Sequence, residues 1–117
     1  IIEHGAWVTG TPDVPPTDTA LGSPVTLFGR PAHFAEGLLV IARRANVPVV
    51  IFNLGLDLSN GRRQLRVLGM HDPNEPALIQ TIASHWERLL CETSWGFMLW
   101  AAMPAWFALP RENPPPQ

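Results

Sequence analysis

Residues 47–52 read VPVVIF, and this run constrains the fold more than any other part of the chain. It is β-branched and apolar on both of its alternating sets, the pattern of a strand covered on both faces, as in parallel sheets flanked by helices. Upstream, Val25 to Phe28 form a second short strand stopped by Gly29 and Pro31. Between the two, Phe34, Leu38, Ile41 and Ala45 fall at helical spacing, with Glu36, Arg43 and Arg44 off that stripe. An amphipathic helix is therefore expected from Phe34 to the break at Asn46. Strand, helix, strand predicts a βαβ unit with a right-handed crossover. The expected fold class is α/β, with a mixed, mostly parallel sheet, a C-terminal hairpin and flanking helices.

The flanks follow the same logic. GAWVTG, residues 5–10, is a short apolar run closed by glycine and suits a buried strand ending in a loop. The following TPDVPPTDTALGSP is a stiffened loop, because its prolines at 12, 15, 16 and 24 remove amide donors. Asn60-Gly61 is a favoured type I′ pair between two runs that can both be strands, so a hairpin is expected there. Asp72 or Asn74 is placed to cap a helix from Glu75 to about Cys91, whose apolar stripe is Leu78, Ile79, Ile82, Trp86, Leu89 and Leu90. One α/β domain is expected over residues 1–110, with 111–117, RENPPPQ, as a proline-rich disordered tail.

Charge and cysteine content narrow the function classes. A net charge of -2 supplies no basic field to gather nucleic acid. The single Cys91 builds neither a disulfide framework nor a cysteine metal site, which fits a reducing compartment. The start, IIEHGAW, reads as a cut and not as a signal peptide, since it has no basic n-region and no small-residue cleavage site. Thr93 to Leu109 is uncharged but interrupted by Gly96 and Pro104, and slightly shorter than the roughly 20 residues a spanning helix needs. Its tryptophans Trp95, Trp100 and Trp106 suit either a membrane interface or a segment packed on the domain.

Few side chains carry the pattern of chemistry. Arg30, His33 and Glu36 stand within seven positions, but Glu36 fits a helix start, where the dipole and open amides favour an acid. The four histidines, His4, His33, His71 and His85, are not spaced to put two metal ligands on one helix face. His85 with Glu87 and Arg88 reads as a polar flank. No nucleophile elbow, Walker loop or dinucleotide-binding glycine turn occurs. Asp13 differs, because it lies in a loop at the expected C-terminal end of a strand, where open α/β sheets bind ligands. Arg30, at the end of the next strand, is expected to face the same crevice.

Taken together, Gly5 to Val8, Asp13, Leu27-Phe28-Gly29 with Ala32, the helix from Phe34, and Pro48-Val49-Val50 resemble the second half of the bacterial lipid A biosynthesis acyltransferases. These are the lauroyl and myristoyl transferases within the lysophospholipid acyltransferase superfamily. The later hairpin, long helix and tryptophan-rich Trp95 to Trp100 are similar to that family's C-terminal region. The resemblance implies transfer of a fatty acyl group from acyl-CoA or acyl-ACP to a lipid or glycolipid hydroxyl, with no bound cofactor. It also implies a location on the cytoplasmic face of the bacterial inner membrane, or in the cytoplasm.

The family's catalytic H-x-x-x-x-D/E is absent, since the residues five positions after each histidine are Thr9, Leu38, Pro76 and Leu90. The catalytic histidine is therefore expected upstream of residue 1, so whether these residues are enzymatic by themselves stays open. Asp13 and Arg30 are left as substrate contacts and Trp95, Trp100 and Trp106 as acyl or membrane contacts. The competing expectation is a self-standing α/β binding module, or an inactive homologue, whose tryptophan-rich end meets a partner or lipid.

Overall fold

The computed structural model describes residues 5, 7–11, 22–93 and 106–107. Its elements are β1 (Gly22–Leu27), β2 (Arg30–Ala35), α1 (Gly37–Ala45), β3 (Val49–Asp57), β4 (Arg62–His71) and α2 (Leu78–Glu92). They form a small mixed α/β fold with two separate two-stranded antiparallel sheets, β1–β2 and β3–β4. The expected mostly parallel sheet and βαβ crossover are not what the described residues form. Nor are residues 7–10 a strand: Trp7 and Val8 there are 88% and 48% exposed.

The difference begins at Phe28-Gly29. Both residues have positive φ, 50° and 71°, which is what a two-residue type I′ turn demands. The chain therefore reverses at the point where the sequence predicts a stop, and residues 30–35 return along β1 with Leu27 opposite Arg30 and Val25 opposite Ala32. Phe34 is spaced for either period. It satisfies the helical stripe, but it also alternates with Ala32, and burial decides between the two. Val25, Leu27, Ala32 and Phe34 are all buried on one face of the hairpin. That face packs on Ala83, Trp86 and Leu90 of α2, and Phe34 meets Trp86 edge to face with ring centroids 5.2 Å apart.

One side chain closes the outer edge of β1. Thr26 and Pro31 are the pair next to Leu27 and Arg30, which close the turn, so in the alternating antiparallel pattern the backbone groups of Thr26 point outward and Pro31 forfeits no bond across the hairpin. The Thr26 N–H donates to Gln80 Oε1 at 2.7 Å, and Gln80 Nε2 donates to the Thr26 carbonyl at 2.9 Å. The amide of Gln80 thus takes the place of a third strand and locks α2 to the hairpin.

The helices start later than the sequence predicts and end as it predicts. In α1, Asn46 at φ 52° puts the Val47 amide on the Ala42 carbonyl and its own amide on the Arg43 carbonyl, a Schellman closure. Neither Asp72 nor Asn74, the expected caps, bonds the first turn of α2: Asp72 instead accepts from the Asn74 amide at 2.8 Å within a local turn. Pro76 and a left-handed Ala77 follow it, and α2 begins only at Leu78. Its buried stripe, Leu78, Ala83, Trp86 and Leu90, overlaps the expected one.

The hairpin at Asn60-Gly61 forms, but not through a type I′ turn. Asp57 pairs with Arg62 across four loop residues, of which only Gly61 has positive φ. Asp57 organises the loop by accepting from the Ser59 amide at 2.9 Å and hydroxyl at 2.6 Å. These bonds, the hydroxyl first, hold its carboxyl below the usual aspartate range. A register shift between Ile51 and Phe52 bends the ribbon. The run that reads as buried on both faces lies in a two-stranded ribbon, and its side chains from Val49 to Phe52 are only partly buried or exposed. No described helix is long and apolar enough to cross a membrane.

Candidate functional site

The turn end of the β1–β2 hairpin combines an exposed cation, an exposed aromatic ring and a strained backbone. Phe28 has no steric excuse for positive φ: a side chain of this size in the left-handed region costs on the order of 1–2 kcal/mol. Its ring is 43% exposed and fills no core. Its backbone amide donates to the Glu87 carboxylate of α2, so Glu87 anchors the turn. A shallow open groove runs beside it, lined by Pro24, Val25, Thr26, Gly29, Pro31 and Gln80.

Arg30 follows this turn and is exposed. Its guanidinium lies over the ring of Phe107, 5.3 Å from the centroid, and no carboxylate pairs with it among the described residues. Stacking holds the flat face of the group while leaving its N–H edge open to an anion such as a phosphate or carboxylate.

The other two members of the Arg30, His33 and Glu36 group belong elsewhere. Glu36 stands at the N-cap of α1, as its helix-start pattern predicts, but its carboxylate does not bond the open amides. It accepts from the Ser23 hydroxyl and from Arg43 at 2.7 Å, and these partners, Ser23 first, hold its carboxyl below the usual glutamate range. Arg43 also donates from Nε to the Pro73 carbonyl at 3.1 Å, so this cluster ties β1, α1 and the turn before α2 together. His33 is partly buried with Nδ1 enclosed and unbonded, and it makes no contact with Glu36 that would orient it as a base.

One histidine–carboxylate pair has no counterpart in the sequence reading. His71 Nδ1 lies 2.6 Å from Glu75 Oε2, four residues on. The signal was present as His71-x-x-x-Glu75, but Glu75 reads as the first residue of a helix. The pair borders a hollow lined by Asn46, Pro48, Met70 and Asp72. His71 Nε2, however, is enclosed and unbonded, and a Cβ on Gly69 would stand 2.7 Å from it. A general base needs that nitrogen within reach of a substrate proton, and here it faces backbone. His85 is kept neutral to lower pH by its own burial, then by Arg88 and His71. Among the described residues, no group of three or more potential metal ligands occurs.

Trp106 is fully enclosed and packs on Trp86 with centroids 5.0 Å apart. Its ring is part of the core, so the packed alternative holds at this position and not the lipid-facing one. Asp13, Trp95 and Trp100 lie outside the described residues, and the expected juxtaposition of Asp13 with Arg30 falls with them. Phe28 and Phe107 were not legible as site residues, because a strained turn and a stacking partner depend on backbone and tertiary placement. Comparison with family models, with curated proteins and with solved structures found no match.

Proposed function

We propose that this chain is part of an acyltransferase that moves a fatty acyl group from acyl-CoA or acyl-ACP to a lipid or glycolipid hydroxyl. In this reading the β1–β2 hairpin and α2 form one wall of the cleft, on the cytoplasmic face of the bacterial inner membrane. The observation that carries it is Arg30, stacked on Phe107 and unpaired with any described carboxylate, beside a strained turn that exposes Phe28. That combination suits a phosphorylated acceptor or the phosphate of an acyl carrier, with an aromatic edge for the neighbouring chain. The ordered resemblance of the sequence supports the same assignment.

The test is acyl transfer from radiolabelled thioesters by the product of the full reading frame. Substituting an H-x-x-x-x-D/E histidine should abolish transfer. Arg30→Ala should lower kcat/KM by about 10- to 100-fold, the loss expected for one charge-assisted hydrogen bond. A full-length product without that motif, or one that turns over no acyl thioester, overturns the assignment. The second reading, a self-standing interaction module, is favoured by the uncovered apolar face of the β3–β4 ribbon.

A further inference from the structure

The β3–β4 ribbon has two faces of opposite character. Pairing sets Phe52 against Val67, Leu54 against Leu65 and Leu56 against Arg63 on one of them. The five apolar side chains of these pairs are 43% to 67% exposed, and Leu58 in the loop and Met70 beyond the bulge continue the strip. The other face carries Asn53, Asp57, Arg62, Gln64 and Arg66. It is tied to the end of α2 by Arg66 and Glu92, 3.3 Å apart, so the apolar face is directed away from the core.

Charge selects what this face meets. The ribbon holds three of the chain's eight arginines and one of its ten carboxylates, although the whole chain is net negative. That carboxylate, Asp57, is on the far face and already held by Ser59 and Gln64. Arg63 stands on the apolar face at the loop end, opposite Leu56, while Arg62 is on the polar face. Stacking a second copy on the strip would put Arg63 of each chain into an apolar interface with no carboxylate on that face to meet it. A surface that is apolar within and anionic at its rim has no such defect.

We propose that the β3–β4 ribbon docks flat on an anionic lipid bilayer, its leucine face at the acyl boundary and Arg63, the cation of that face, on the lipid phosphates. Arg63 lays its alkyl stem along the leucines and carries its charge up to the headgroups. The ribbon lies in the interface and does not enter the hydrocarbon, because each strand has only one partner among the described residues, and open backbone groups are tolerated only where water and headgroups reach them. The inference stands on the ribbon alone and does not depend on acyl transfer.

The test is co-sedimentation of the 117-residue chain with vesicles of phosphatidylcholine, with and without about a third phosphatidylglycerol, at low and high salt. Binding should require the anionic lipid and weaken with salt. Arg63→Gln should cut partitioning about 5-fold, and Leu54→Gln with Leu65→Gln should abolish it. These three side chains are exposed, and near-ultraviolet circular dichroism of the core tryptophans confirms that the variants fold. Hydrogen exchange should slow on vesicles at residues 49–71 and not at 22–35. Failure to bind anionic vesicles overturns the proposal, as does binding that the leucine variant retains. So does a concentration-dependent dimer that the leucine pair abolishes without any lipid uptake, which would make the strip a contact between copies.

Discussion

Phe28 shows how one residue can be wrong for its backbone and still be kept. Asparagine or glycine would meet the type I′ geometry without strain, and nothing in the core needs the phenyl ring. Phe28→Asn is expected to stabilise the chain by about 0.5–1 kcal/mol, read as a higher urea midpoint. If the ring serves the site, acyl transfer by the parent protein should fall in the same variant, a trade that strained functional positions show. An unchanged or lower midpoint would mean that the ring stabilises the turn after all.

Glu36 gives the pH dependence at the same scale. Its folded-state carboxyl is depressed by Ser23 and Arg43, so its contribution is complete above the ordinary glutamate range near 4.3 and is lost as pH falls through the lower folded value. Glu36→Gln should therefore flatten the acid limb of the stability curve below about pH 4–5. It should leave the limb above neutrality unchanged. Equal slopes in the two proteins would show that the Ser23 and Arg43 contacts do not set the depression.

At the scale of elements, the first hairpin and α2 form the cooperative unit. Phe34 sits at its centre, with Trp86 on one side and no exposed surface. Phe34→Ala is expected to cost about 3–5 kcal/mol, from lost burial and the cavity left behind. Denaturant unfolding with tryptophan fluorescence measures it, and a loss under about 1 kcal/mol would remove Phe34 from the core. Element positions were partly legible. The stripe of α2, the Asn46 stop of α1 and the Asn60-Gly61 reversal follow from periodicity and turn chemistry. The start of α2 did not, because Asp72 had two backbone uses of similar energy and took the local turn. Nor did β2: a six-residue stretch with Ala32 and Phe34 alternating, and Phe34 also in register with Leu38, fits both periods.

For the whole molecule, the sites divide in the same way. The place of Arg30 after a strand was legible, whereas its stacking on Phe107 was not, because the two are 77 positions apart. Local pattern therefore determined the amphipathic helices and the second reversal. Sheet pairing was decided only in three dimensions. Residues 47–52 specify a strand with two apolar sets, but the identity of its neighbours depends on where the chain turns first. The left-handed pair Phe28-Gly29 sends β2 back on β1 before any crossover to β3. A single strand's side chains record how much apolar surface must be covered; they carry no record of which strand, helix or bilayer covers it.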